Sequence, residues 1–176
     1  AEGVAMSNYT DTPAAIDGDL SEYSLDYGSE IQTTTGQTNN NTVTWGSRWD
    51  RNNLYVGINV LDAVLLAPTV NPWENDAIEF YIDGNNDKDG TYDGEFDTQL
   101  IMDVDTTGLW LKADGVQIVD YEAVLVANDD GYTVELRLAW ADFQFEPGKG
   151  RIMGWSLGNN DTDTPDVPRE YQTVWY

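Results

Sequence analysis

Apolar and polar residues alternate with a two-residue period along most of the chain. Val43, Trp45 and Trp49 fall on one face of a first strand, with Thr44 and Arg48 on the other. Leu54, Val56, Ile58 and Val60 alternate in the next. Ile78, Phe80 and Ile82 form a third inward face, which turns Ala77, Glu79 and Tyr81 outward. The pattern continues through Leu100-Met102-Val104, Leu109-Leu111, Val116-Ile118, Val124-Val126 and Val134-Leu136-Leu138, and Met153-Trp155-Leu157 closes it. Turn signals separate the runs: Asp50-Arg51-Asn52-Asn53, Thr106-Thr107-Gly108, Asp114-Gly115, Asn128-Asp129-Asp130-Gly131 and Glu146-Pro147-Gly148. Only Ala139 to Phe143 reads as a helical turn. Many short strands with regular turns predict an all-β chain, a β-sandwich of two antiparallel sheets of jelly-roll or immunoglobulin-like type. No internal repeat or linker interrupts residues 1–176, so a single domain is expected. Thr33 to Thr42, rich in Thr, Gln and Asn, is expected to be a surface loop.

Composition narrows the chemistry. The chain has 176 residues with no cysteine and no histidine, which excludes disulfides, thiol catalysis and the commonest general base and zinc ligand. Its 32 acidic residues against 8 basic ones give a net charge of -24. Nucleic acid and anionic membranes are repelled by such a surface, cations are attracted, and a monomer is favoured. No apolar run approaches the ~20 residues of a membrane span. The opening Ala1-Glu2-Gly3-Val4-Ala5 reads as the mature end left by a removed signal, which implies a secreted, extracellular protein.

One segment concentrates oxygen donors: Asp83, Asn85, Asp87, Asp89, Asp93, Glu95 and Asp97 surround Gly90. Calcium takes about six to eight oxygen ligands in flexible geometry, and alternate residues of a tight loop can converge on one centre. The frame from Asn85 matches the first half of a helix-loop-helix calcium loop, but Phe96 stands where the bidentate glutamate belongs. Structural calcium held by Asp83, Asn85, Asp87, Asp89, Asp93 and Asp97 is the expectation.

Of seven tryptophans, Trp45, Trp49 and Trp155 share inward faces with aliphatics and Trp140 ends a strand, so all four read as core. Trp73 differs. It follows Pro72 and precedes Glu74-Asn75-Asp76, and nothing local buries it. A flat ring beside the outward Glu79 matches the C–H face and hydroxyl rim of a sugar. Asp76, Gln99, Asn159, Asn160 and Arg169 are candidates for the rim, and Trp110, Tyr171 or Trp175 for a second wall.

At these residues the chain resembles the family 9 carbohydrate-binding modules appended to bacterial xylanases. The likeness is carried by Ile16-Asp17-Gly18 with Glu22, by Trp49-Asp50 with Leu54-Tyr55-Val56, and by Asp62-Ala63-Val64-Leu65. Its most specific stretch is Asn71-Pro72-Trp73-Glu74 with Asp76 and Glu79, followed by Asp83, Asn85, Asn86, Lys88, Tyr92, Asp97 and Gln99. Tyr132-Thr133-Val134-Glu135, Trp140, Gly154 and Asn160-Asp161 extend it through the C-terminal half. The resemblance implies a sandwich with bound calcium and a slot that clamps the reducing end of glucan and xylan chains between two tryptophans. Trp73 matches the first of these, and Glu79 matches a glutamate that binds sugar hydroxyls. Three positions depart from the pattern. Ile101 replaces a sugar-binding arginine, Gly158 replaces a glutamine, and the second clamp tryptophan lies beyond the position that Trp175 matches.

The expected function is a non-catalytic module that targets a covalently linked glycoside hydrolase to poly- or oligosaccharide. The alternative is a calcium-stabilised structural or adhesive sandwich without a sugar site. A glycoside hydrolase is disfavoured, because no feature marks the apolar pocket that raises a catalytic acid's pKa. Haem binding is disfavoured too, since methionines 6, 102 and 153 are the only ordinary axial ligands.

Overall fold

The computed structural model describes residues 3–28, 32–33, 40–105 and 108–175, with backbone only at 32–33. Ala1 and Glu2 of the opening segment, residues 34–39 of the expected surface loop, Thr106 and Thr107 of one expected turn, and Tyr176 lie outside them.

Two six-stranded sheets pack face to face. The first contains β1 (Asn8–Tyr9), β2 (Tyr27–Gly28), β4 (Thr42–Trp49), β5 (Asn53–Leu61), β9 (Tyr121–Asn128) and β10 (Gly131–Ala139). Its order is β1-β4-β5-β10-β9, with β2 also paired to β4. The second contains β3 (Gln32–Thr33), β6 (Ala77–Asp83), β7 (Asp97–Asp103), β8 (Trp110–Leu111), β11 (Gly154–Asp161) and β12 (Tyr171–Trp175), in the order β3-β12-β11-β6-β7-β8. Pairing is antiparallel apart from the two-residue β1–β4 contact, which is parallel. The sandwich expected from the alternation is therefore present.

Apart from those on β9, the inward faces are the ones the pattern assigns. On β9, Tyr121, Ala123 and Leu125 pack on the core, and Val126, expected inward with Val124, is 40% exposed and lies against Gly18 on the outer face. Val56, Ile58 and Val60 from one sheet and Ile78, Phe80 and Leu100 from the other are fully buried in one core. Trp45 and Trp140 are buried in it, and Trp49 and Trp155 pack on it half-buried. The expected helical turn is a 3-10 turn, Trp140–Phe143. Two further expectations are corrected. Val116 and Ile118 are not a strand; they are buried in a loop that closes one end of the core. The chain also makes one more long pairing than the alternation indicates, because β12 lies beside β11 with Leu157 opposite Trp175.

The N-terminal segment covers the outer face of the first sheet. Ala14 and Tyr23 pack with Tyr55, flanked by Ile16, Leu20 and Leu25, and the Tyr23 ring lies so close over Gly57 that a Cβ there would meet it at 2.6 Å. Glu135, on β10, anchors this segment by accepting backbone N–H groups from Asp17 (2.9 Å) and Gly18 (2.5 Å). Gly18 has φ +90°, and a Cβ would stand 2.5 Å from Val126 Cγ2. Gly18→Ala is expected to destabilise the protein by about 1–3 kcal/mol in urea unfolding, combining left-handed strain with overpacking. An unchanged midpoint would show that the anchor is dispensable.

Candidate functional site

The outer face of the second sheet carries the residues singled out from the sequence. Register sets Glu79 opposite Ile101 on β7 and Gly158 on β11, and sets Ile101 opposite Trp110 on β8. Tyr81 faces Gln99, and Asn160 faces Gln172 on β12.

Glu79 is 1% exposed and sits at the centre of a closed polar network. One carboxylate oxygen accepts from the Tyr81 hydroxyl (2.5 Å) and the Gln99 amide (2.7 Å). The other accepts from the amides of Asn160 (2.5 Å) and Gln172 (3.4 Å) and from the Arg169 guanidinium (3.3 Å). Arg169 and Gln172 also donate to the Asn160 carbonyl oxygen, at 3.0 and 2.9 Å. Burial, and then the Glu79 charge, push the Tyr81 phenol far up. The network therefore holds a charge away from water with every lone-pair direction used, as a buried carboxylate requires.

Above it the aromatic rings form a corner. Trp73, 36% exposed, meets Trp110 edge-to-face with ring centroids 5.4 Å apart and planes at 65°. The loop that presents Trp73 is stiff. Pro72 opens a 3-10 turn, and Glu74 accepts from the Asn71 amide and the Thr69 hydroxyl, both at 2.9 Å. Those two bonds hold the Glu74 carboxyl below its usual range. Buried Asn75 donates to Asp103 (2.6 Å) and to the Thr69 carbonyl (3.0 Å) beneath the turn. The Asn160 amide reaches the Trp73 carbonyl at 3.3 Å, which ties the platform to the network. Tyr92 and Lys112 border the Gln99 side, with the ammonium 4.9 Å from the Tyr92 ring centroid.

The structure thus brings together Trp73, Trp110, Glu79, Gln99, Asn160 and Arg169. It does not bring Trp175 or Asp76 to this face. Trp175 is 6% exposed and packs edge-on against Trp45 at 5.0 Å, inside the sandwich. Asp76 is fully buried and accepts backbone N–H groups from Leu66 and Thr162. Asn159 is likewise buried, bonded to the Tyr132 hydroxyl. Tyr92 and Gln172, which are not among the candidates read from the sequence, adjoin this network through Gln99 and Glu79. Their signal was present only as positions: Gln172 alternates with Val174 on an outward face.

The carboxylates that converge are a different set from the expected loop. Asp62, Asp161 and Asp163 place ligand oxygens within 4.8 Å of one another. Both oxygens of Asp161, which is fully buried, and one of Asp163 find no hydrogen-bond partner among the described residues. Burial pushes Asp161 up to about 7, with Asp163 and Asp62 adding repulsion. Burial likewise pushes neighbouring Asp76 up to about 8. Buried, mutually repelling and unpaired acceptors of this kind suit a cation.

In the expected loop, by contrast, most carboxylates accept from their own backbone. Asp83 takes the N–H of Asp87 and Lys88, Asp89 that of Thr91, and Asp93 those of Glu95 and Phe96. Asn85 and Asp87 bond each other, exposed to solvent. Asp97 alone there has a buried unpartnered oxygen. Burial, then Asp93 and Asp83, push it up to about 6.

These raised pKa values fix a pH dependence for the metal-free protein. Its folded state retains protons on Asp97, Asp161 and Asp76 that the unfolded chain has released above pH ~4. The stabilisation is complete below that pH and is lost as pH rises through about 6, 7 and 8. The Tm of chelator-treated protein should therefore fall between pH 5 and 8, and a bound cation should flatten the slope. A metal-free Tm that rises over this range would contradict the assignment.

Comparison with known proteins agrees with this architecture. Residues 16–176 match the model of the "Carbohydrate family 9 binding domain-like" family. Endo-1,4-beta-xylanase A of Thermotoga neapolitana is 28% identical over 176 residues, covering 92% of this chain and 15% of that enzyme. The xylanase A of Thermoanaerobacterium saccharolyticum is 30% identical over 129 residues, covering 72% of this chain and 10% of the enzyme. The chain therefore spans only a small part of the length of these relatives. A family 9 carbohydrate-binding module from Caldicellulosiruptor kristjanssonii, solved with cellotriose, superposes with a TM-score of 0.81 at 23% identity, covering 97% of this chain and 83% of that one. A family 9 module from the same organism, solved with glucose, gives 0.74. Fold and sequence agree: the chain belongs to the family 9 carbohydrate-binding domains.

Proposed function

We propose that this chain is a non-catalytic module that holds β-linked glucan or xylan oligosaccharides on the outer face of the second sheet. In the parent protein it would keep a covalently linked, secreted glycoside hydrolase near its substrate. The observation that carries the reading is the stiff, part-exposed Trp73 next to Trp110, above a polar network centred on Glu79. A pyranose presents C–H groups to a tryptophan face and hydroxyls to the Gln99, Tyr92 and Arg169 groups at the rim. The solved module with cellotriose and the xylanase relatives supply the ligand class.

A ring sandwiched between two aromatic planes needs about 7–8 Å between them, two contact distances of ~3.5–4 Å. Trp73 and Trp110 touch at 5.4 Å and 65°, so the sugar would stack on one face of Trp73. With Ile101 opposite Glu79, the reading is binding without selection for the reducing end. Retention on insoluble xylan or cellulose, measured by depletion from solution, tests the function. Protein left wholly in the supernatant of both would favour the structural, sugar-free alternative.

Calcium is the cation proposed for Asp62, Asp161 and Asp163, because three hard, ionised oxygen ligands suit it. It would neutralise the buried charge and fix the segment that carries Asn160 and Arg169. Asp97 with Asp83 is a second candidate place.

A further inference from the structure

At the opposite end of the sandwich lies a cleft of about 690 Å³, within the size range of small-ligand sites. Arg51, Asn52, Arg137, Trp140, Phe145 and Glu146 line it. β5 begins beside it at Asn53 and ends at Leu61, next to Asp62, so roughly 30 Å of strand separates it from the acidic triad. Asn160, the neighbour of Asp161, bonds the Trp73 carbonyl, so the cleft is distant from the tryptophan corner as well.

The chain has eight basic residues against 32 acidic ones, yet Arg51 and Arg137 line this cleft and Arg151 lies against its Phe145. Arg137 is committed, bonding Asp120 and Asn53 at 2.8 Å and Glu122 at 3.1 Å. That commitment consumes two of the nearby acids. Asp50 is consumed as well, accepting from the Tyr55 hydroxyl and from the N–H groups of Asn52 and Asn53, all at 2.7 Å. Arg51 makes no side-chain hydrogen bond or ion pair among the described residues, while its backbone is pinned by that same Asp50 turn. Arg151 lies over the Phe145 ring, 5.6 Å from its centroid, and has no ion pair among the described residues. Glu146 remains the one lining acid without such a partner there.

We propose that this cleft is a second glycan site, which takes a uronic acid residue through its carboxylate. A free guanidinium offers a planar, two-pronged donor pair that matches a carboxylate. Half-buried Phe145, backed by the buried Trp140 ring 5.2 Å away, gives an apolar wall for the sugar ring, and the Asn52 amide lies within the same turn for its hydroxyls. The acidic surface around the cleft, part of a net charge of -24, repels any further carboxylates that a polyanion would bring within the ~8 Å screening length. The occupant is therefore a mostly neutral glycan carrying single acidic residues, not a polyuronate. Two sites at opposite ends of one module would let it bridge separate stretches of a decorated chain.

The test is calorimetric titration of the Trp73→Ala protein with a xylo-oligosaccharide bearing one glucuronic acid, and with the same compound after carboxyl reduction. Removing Trp73 separates this site from the one proposed above, whose own failure would show with neutral oligosaccharides on the unaltered protein. The acidic compound is expected to bind, and the reduced one about tenfold or more weakly, the change expected for losing a charge-assisted hydrogen-bond pair. Adding Arg51→Gln should erase the difference without moving Tm, since Arg51 is exposed. No heat from the acidic compound, equal binding of both, indifference to Arg51→Gln, or equally tight binding of a triglutamate peptide would each overturn the proposal.

Discussion

Trp73→Ala should abolish retention on polysaccharide while leaving the fold intact. The substitution removes the stacking face, worth about 1–2 kcal/mol or roughly a five- to thirtyfold loss of affinity. Its structural cost is the edge-to-face contact with Trp110, about 0.5–1.5 kcal/mol, plus the apolar area the part-exposed ring buries; the 3-10 turn itself is held by Asn71, Glu74 and Asn75 rather than by the ring. Trp45→Ala makes the contrast. Trp45 is 1% exposed and touches Tyr27, Trp155 and Trp175, so its loss should cost about 3–5 kcal/mol. A Trp73 variant that unfolds like the Trp45 variant would place Trp73 in the core and end the platform reading.

The second large effect is the response to calcium. A cation that binds only the folded state at a hundredfold excess over its dissociation constant adds about 2.7 kcal/mol. For a chain of this size that is about 5–10 °C in Tm. Asp161→Asn should remove most of the rise, since both oxygens of Asp161 are buried and unpartnered. Asp87→Asn, in the exposed loop, should remove little of it. If the effects of the two substitutions were reversed, the cation would belong in the Asp83–Asp97 loop that the sequence first suggests.

That difference marks where sequence reading stops. Alternation in Ile78-Glu79-Phe80 sufficed to point Glu79 outward, because strand geometry is local. A tryptophan after proline, with no apolar neighbour, sufficed to set Trp73 apart. Trp110 could be named but not placed, since its position depends on the pairing of Ile101 with it across β7 and β8. The acidic triad was invisible for the same reason. Asp62 lies just after β5, whereas Asp161 ends β11 and Asp163 follows it, and only sheet packing brings them together. A dense acidic run looks more like a metal site than three scattered aspartates do. Yet the run is solvated and bonded to its own backbone, while the scattered set is buried with acceptors to spare.

Trp175 misled in the opposite sense. Near the chain end it had no periodic context, and β12 turns out to carry it into the core beside Trp45. Asp76 reads as a rim residue by its proximity to Trp73, but the backbone N–H groups of Leu66 and Thr162 fold over it.

The most direct test is calorimetric titration of the calcium-loaded protein with cello- and xylo-oligosaccharides, each in native and borohydride-reduced form. The account predicts heat from at least one series, unchanged by reduction of the end and lost in Trp73→Ala. Binding that disappears on reduction would contradict the one-sided platform and restore end capture, and no heat from any oligosaccharide would contradict carbohydrate binding at this face.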